Sequence, residues 1–299
     1  MERLACIGIG SNAIRLLIAC REGERLCALR RERQGTRLFA GLVNGALTQQ
    51  SIQSSVEAVG ELAALARADG ARELFIFATS AVRDAANGAE FTARAEAVSG
   101  AQVEIISGEE EAVLSYLGAS EGGSCGVIDI GGGSTEFTLG EGSQILGARS
   151  LQMGAVRMTA ETPILSEADY VRTLERCVRI IRRDAQELLA MPPRAQWVGV
   201  GGTMTTLGAM QRGIPLFDPD TCEGMTISRE EVARWGMTLA GMTMERRRQV
   251  AGLMPHRADI IPSGVAILEA AMRCFDVEVL RLSAHGNMDG YLKRRFGLA

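Results

Sequence analysis

The sequence predicts an α/β chain built from two related halves, and three observations carry that expectation. A strand–turn–strand pattern over 4–20 returns over 127–139. From Gly10 to Ser80, where a second strand runs into a helix, is 70 positions; from Gly131 to Gly201, where the same thing happens, is again 70. A chain of 299 residues is also too long for one small core and fits two domains of ordinary size.

The elements follow in order. Leu4, Cys6, Ile7 and Ile9 lead into Gly10-Ser11-Asn12, and an apolar run over 13–19 forms the outgoing strand. Residues 51–68 have helical spacing, with Ile52, Val56, Val59, Leu62, Leu65 and Ala66 on one face. Residues 74–78 read as a short buried strand ending at Thr79-Ser80, polar residues suited to cap a helix. A strand over 103–106 leads through Ser107-Gly108 into a helix that opens with Glu109-Glu110-Glu111. Gly122-Gly123-Ser124 marks a break, so domains are expected at 1–120 and 121–287.

After the break come a strand over 127–130, the turn Gly131 to Ser134, and a strand over 135–139. A helix is expected over 167–189, a strand over 197–200 ending in Gly201-Gly202-Thr203, and a helix over 204–210. Helices over 229–240, 244–253 and 262–274 and a strand over 277–282 come next. A short helix over 289–296 closes the chain, and the segment from about 288 is expected to pack back on the first domain.

Composition narrows the classes. Hydrophobic content of 46% with 23% charge belongs to a folded globular protein. A formal charge of −4 and only 4% aromatics argue against a nucleic-acid partner, which calls for a basic excess and stacking side chains. Seven scattered cysteines without a CxxC pair predict reduced thiols in a cytoplasmic protein, and with two histidines they make zinc an unlikely ligand. The first twenty residues show no secretory leader and no apolar run reaches membrane length, so no membrane association is expected. The thirteen methionines read as core filler, and Arg246-Arg247-Arg248 as a solvated helix face.

The segment Asp129 to Glu136 carries the strongest chemical signal. Gly131-Gly132-Gly133 is expected to turn with positive φ and to aim backbone N–H groups at phosphate oxygens, with Ser134 and Thr135 closing the turn. Asp129 and Glu136 flank it, placed to hold a divalent cation against phosphate. Gly201-Gly202-Thr203 opens a helix, where the dipole favours anions. Thr79, Ser80 and Arg83, with Ser11, Asn12 and Arg15 of the first hairpin, are further phosphate-binding candidates. Glu111 is the candidate general base for water attacking phosphorus, although alone it also reads as an ordinary helix acid.

These residues form an ordered set that resembles the exopolyphosphatase/guanosine pentaphosphate phosphohydrolase (Ppx/GppA) family over nearly the whole chain. The set comprises Ile9 to Asn12, Ala78 to Arg83, Ser107 to Ala112, Asp129 to Glu136, Gly154 to Arg157, Gly201 to Thr203 and Arg257 to Pro262. The resemblance implies two ribonuclease H-like, actin-like lobes with an active-site cleft between them. It implies Mg2+-dependent release of terminal phosphate from inorganic polyphosphate, or of the 5′ γ-phosphate from guanosine pentaphosphate. A catalytically weakened sensor of such polyanions is the competing expectation, and homodimer formation stays open. By the same resemblance Glu111 activates water, and Asp129 and Glu136 hold metal and the attacked phosphate.

Two departures stand out. The family's first hairpin reads Asp-Ile-Gly-Ser-Asn-Ser, whereas here Gly8 takes the acidic position and Ala13 replaces the last serine. Near the C-terminus the family's Gly-Leu-Arg-Glu-Gly is Gly286-Asn287-Met288-Asp289-Gly290. A lost acid beside a metal is expected to slow phosphoryl transfer.

Overall fold

The computed structural model describes residues 2–214 and 219–298. They form two compact units, Met1–Gly118 with Asn287–Ala299, and Ala119–Gly286.

In the first unit β1 (Arg3–Ile9), β2 (Ile14–Glu22) and β3 (Arg25–Gln34) form an antiparallel meander. A minimal hairpin, β4 (Leu42–Val43) with β5 (Ala46–Leu47), leads into α1 (Gln49–Ala68). β6 (Glu73–Ala78), the single turn α2 (Ser80–Arg83), α3 (Gly88–Ser99), β7 (Val103–Ile105) and α4 (Gly108–Ala119) follow. The sheet order is β3-β2-β1-β6-β7, with β6 parallel to β1 and β7 parallel to β6. β1 and most of β2 are buried, which explains their unbroken apolar runs. β3 is the sheet edge, and its charged RLCALRRERQ sequence deters edge-to-edge pairing. That charge also hides β3 from a reading based on apolar alternation. α1 starts where Thr48 accepts a hydrogen bond from the Ser51 N–H and buries the stripe Ile52, Val56, Val59, Leu62 and Ala66.

The second unit repeats the plan. β8 (Ser124–Ile130), β9 (Thr135–Glu141) and β10 (Gln144–Leu151) form the meander. Then come α5 (Ala155–Glu161), α6 (Glu167–Asp184), α7 (Gln186–Leu189), β11 (Gln196–Val200) and α8 (Gly202–Arg212). β12 (Thr226–Ser228), α9 (Arg229–Ala240), α10 (Met244–Arg247), α11 (Ile261–Cys274) and β13 (Val279–Leu282) complete it. The order β10-β9-β8-β11-β13-β12 matches the first sheet strand for strand, with β12 added at the edge. Both sheets are ribonuclease H-like, as in actin-like proteins. α11 is buried from Ile261 through Met272 and centres the core of this unit. The last helix, α12 (Asn287–Arg295), belongs to the first unit, where Met288, Tyr291 and Leu292 pack with Leu4, Cys6, Leu17 and Phe77.

Several expectations are corrected. The helix over 167–189 is two helices, broken at the buried Ala185 (φ −115°). The helix over 244–253 is the single turn α10. Arg247 is not on a solvated face: it is buried, and its guanidinium donates to the carbonyls of Leu239 (2.6 Å), Ile164 (3.0 Å) and Ala240 (3.4 Å). Those carbonyls sit at the end of α9 and in the loop before α6, where the helical ladder leaves acceptors open to further donors. The equal 70-residue spacing is one too many in the first half and one too few in the second, because Gly8 pairs with Phe77 whereas Asp129 pairs with Val200. All seven cysteines are thiols rather than disulfides, and no helix among the described residues is long and apolar enough to cross a membrane.

Candidate active site

In the first unit the hairpin closes through the Gly10 N–H, which donates to the Ala13 carbonyl at 3.1 Å. The loop after β3 returns to this turn. Arg37 and Phe39 N–H groups donate to the Asn12 and Ser11 carbonyls at 3.1 and 2.8 Å. Both polar atoms of the Asn12 side chain are enclosed and have no hydrogen-bond partner among the described residues. A buried amide left in that state costs roughly 1–3 kcal/mol, so it marks a position that awaits a ligand or water. Ser11 and Ser80 hydroxyls lie 3.4 Å apart, and Thr79 N–H donates to the Ile9 carbonyl at 3.1 Å. Thr79 does not cap α2 through its side chain as expected: its hydroxyl turns toward the Ile9 carbonyl instead, at 3.5 Å.

The acidic triplet at the start of α4 separates by direction, since successive helical side chains point about 100° apart. Glu109 is exposed, Glu110 pairs with Arg294 at 3.0 Å, and Glu111 is buried at 6% exposure. Ser107 caps this helix, its hydroxyl accepting from the Glu110 N–H at 3.0 Å. Glu111 Oε2 lies 3.7 Å from Arg83 Nη1, which itself donates to the Ile106 carbonyl at 2.8 Å. Asn287 donates to Glu111 Oε1 at 3.5 Å and accepts from Arg15 at 3.2 Å. Arg15, Asn287, Glu111 and Arg83 therefore form one polar chain. Arg15 also faces Arg33 across β2 and β3, and burial, with Arg15 adding to it, holds the Arg33 guanidinium below its usual range.

In the second unit Asp129 and Glu136 are direct partners in the β8–β9 ladder, both buried, and their side chains share one face. Ser150 donates to Glu136 Oε1 at 2.7 Å. The turn between them closes through Gly131 N–H on the Ser134 carbonyl at 3.0 Å, the counterpart of the Gly10 bond. Its glycines do not adopt positive φ as expected. Close packing demands glycine at position 154 instead: a Cβ on Gly154 would fall 2.3 Å from the Gly132 carbonyl of the turn. Ala155 N–H donates to the Gly131 carbonyl, Val156 and Arg157 N–H groups to that of Gly132, and the Arg157 guanidinium to that of Gly133. The segment Gly154 to Arg157 thus holds the carbonyl side of the loop. The Gly132 and Gly133 N–H groups have no backbone acceptor among the described residues, which leaves the donor side for an anion. Thr135 does not contribute its hydroxyl to that side, because it donates to the Met153 carbonyl and braces the turn.

Gly201 precedes α8 with φ +95°, and a Cβ there would lie 2.7 Å from the Ile130 carbonyl oxygen and 2.9 Å from Asp129 Oδ1. Conformation and space both require glycine. Thr206 donates to the Gly202 carbonyl at 2.6 Å, while the enclosed Thr203 hydroxyl has no hydrogen-bond partner among the described residues. Arg257 packs its guanidinium on Gly202, where a Cβ would meet Nη1 at 2.3 Å. A helix start, a hydroxyl and a buried cation make a receptacle for anionic oxygen.

Sequence reasoning placed Arg257 only inside a motif and treated Asn287 only as a departure. Neither residue type announces a site by itself. Among the described residues no group of three or more His, Cys, Asp or Glu side chains gathers. Asp129 and Glu136 are a two-carboxylate donor set, suited to a hard cation that keeps water ligands and takes further oxygens from phosphate.

These features describe a ribonuclease H-like protein equipped for anionic oxygen and acid–base chemistry, and comparison with known proteins narrows the class. Residues 17–296 match the Ppx/GppA phosphatase family, to which this chain belongs. It is 34% identical to exopolyphosphatase 2 of Mycobacterium tuberculosis, over 97% of each chain. The crystallised Aquifex aeolicus PPX-GPPA enzyme is 28% identical with a TM-score of 0.82, over 97% of this chain and 98% of that one. An exopolyphosphatase from Cytophaga hutchinsonii, 22% identical over 100% and 99% of the two chains, shares the fold with a TM-score of 0.89.

Proposed function

We propose that this chain is an exopolyphosphatase-type phosphohydrolase that releases terminal orthophosphate from inorganic polyphosphate. One observation carries the reading: two buried carboxylates, Asp129 and Glu136, face each other beside a turn whose Gly132 and Gly133 N–H groups have no backbone acceptor among the described residues. Like charges set directly opposite repel across a sheet, and a cation bound between them would offset that repulsion. Asp129 and Glu136 would hold Mg2+, which supplies charge neutralisation on the phosphate oxygens when bound.

Glu111 takes the proton of the attacking water. The water oxygen bonds to the terminal phosphorus, the bridging P–O bond breaks, and orthophosphate leaves from a chain one unit shorter. Arg83, 3.7 Å from Glu111, holds the carboxylate in place for that role and offers its remaining N–H groups to phosphate. The Gly132 and Gly133 amides, Thr203 and Arg257 bind phosphate oxygens. Burial of both carboxylates and of Arg257 favours this reading, because charge stabilisation is strongest out of water.

The test is phosphate release from long polyphosphate and from guanosine pentaphosphate side by side, with and without magnesium. Magnesium-dependent release from polyphosphate is expected. Release from the nucleotide alone transfers the substrate assignment to guanosine pentaphosphate, and release from neither ends the hydrolase reading.

A further inference from the structure

Asp129 in β8, Glu136 in β9 and Ser150 in β10 form one row across the second sheet. Each is the direct ladder partner of the next, and partners directly opposite share a face. The Ser150 hydroxyl donates to Glu136 Oε1 at 2.7 Å. It does so from the side away from Asp129, because β9 lies between β8 and β10. The other flank of the row is closed by backbone. A Cβ on Gly201 would lie 2.9 Å from Asp129 Oδ1, so the start of α8 limits where that carboxylate turns.

The two acids are thus held by different means. Asp129 is short and walled in. Glu136 has one more rotatable bond, and a charge-assisted hydrogen bond to one oxygen restrains its carboxylate. Ala148, the next β10 residue on this face, has no side-chain donor to offer in its place. A hydrogen bond to a ligating carboxylate orients it and contributes to metal affinity.

The bond also bears on which cation the pair receives. Ca2+ takes about six to eight oxygens in flexible geometry, often both oxygens of one carboxylate, whereas the smaller Mg2+ demands near-octahedral geometry and keeps several waters. A cation chelated by both oxygens of Glu136 would have to share Oε1 with the Ser150 hydroxyl. A cation that takes one oxygen does not meet that competition.

We infer that Ser150 is a positioning residue for the cation pair: by engaging Oε1 it makes Glu136 a one-oxygen ligand and so favours Mg2+ over Ca2+. The inference rests on the proposed reading of Asp129 and Glu136 as that pair, and not on the reaction proposed for the site.

Calorimetric titration of the metal-free protein with Mg2+, and separately with Ca2+, tests this. Ser150→Ala is expected to bind Mg2+ about tenfold more weakly, the smaller end of what losing the hydrogen bond to a ligand costs. Its Ca2+ affinity is expected to stay within about threefold of the parent. Ser150→Thr keeps the hydroxyl and is expected to hold both affinities within about threefold, while Ser150→Val, of the same shape without the hydroxyl, is expected to behave as Ser150→Ala. Equal losses for the two cations, an unchanged Mg2+ affinity in Ser150→Ala, or equal behaviour of the Thr and Val variants overturns the inference. So does a parent that binds neither cation. Ser150 is half-buried on an edge strand, and unfolding midpoints check that the variants fold. If Ser150→Ala is not recovered folded, the comparison of Thr with Val decides; if those also fail to fold, Ser150 is structural and the inference falls. A parent that binds Mg2+ but releases no phosphate ends the proposed reaction and leaves the titrations to decide the role of Ser150.

Discussion

In the first hairpin Gly8 faces Arg15; in the second Asp129 faces Glu136, at the same place in the ladder. The turns between them close alike, Gly10 N–H on the Ala13 carbonyl at 3.1 Å and Gly131 N–H on that of Ser134 at 3.0 Å. Backbone and chemistry are thus set by different residues. Apolar strands and a glycine at the first turn position repeat the backbone, while the two residues that flank the turn give each hairpin its charge. The first hairpin is neutral and cationic, covered by Met288, and the second carries two buried acids.

If that contrast governs function, matching substitutions have unequal effects. Asp129→Asn is expected to lower phosphate release by roughly 10²–10³-fold, the range for losing one charge-stabilising group, with a parallel loss of magnesium affinity in calorimetry. Gly8→Ala is expected to change turnover by only a few fold; an equal loss in both would mean that the hairpins are not chemically distinct. Arg257→Lys removes the guanidinium fork that packs on Gly202, and a rise of about tenfold in the KM for polyphosphate is expected from a lost charge-assisted contact. An unchanged KM would remove Arg257 from phosphate binding.

The smallest effects compare the turns themselves. Gly154→Ala places a Cβ 2.3 Å from the Gly132 carbonyl, whereas the nearest atom to a Cβ on Gly10 is the Ala13 carbonyl oxygen at 3.1 Å. Gly154→Ala is expected to cost about 1–3 kcal/mol in urea unfolding, as overpacking does, and Gly10→Ala less. A reversed order would show that the second turn is not held by its close approach to Gly154.

Much of this organisation is legible in the sequence, and the omissions have physical causes. The duplicated hairpins stand out because buried strands demand continuous apolar runs. β3 and β10 do not, because an edge strand with partly exposed faces needs no such run. Glu111 is named by its motif, but its burial beside Arg83 and Asn287 depends on α12, which enters from 176 positions further along the chain. The three glycines were expected to supply positive φ, yet it is Gly201 that does so. A run of glycines permits both unusual dihedrals and close packing, and composition does not separate the two. Arg247 illustrates the same limit: three consecutive arginines look solvated until one buries its guanidinium against three backbone carbonyls.

The most direct test of the account is orthophosphate release from long polyphosphate at saturating magnesium, comparing the parent with Glu111→Gln. Glutamine keeps the shape and the contact with Asn287 but does not accept the proton of water. The account predicts steady release by the parent and a loss of roughly 10²–10⁴-fold in the variant, with an unchanged unfolding midpoint. A variant as fast as the parent would contradict it.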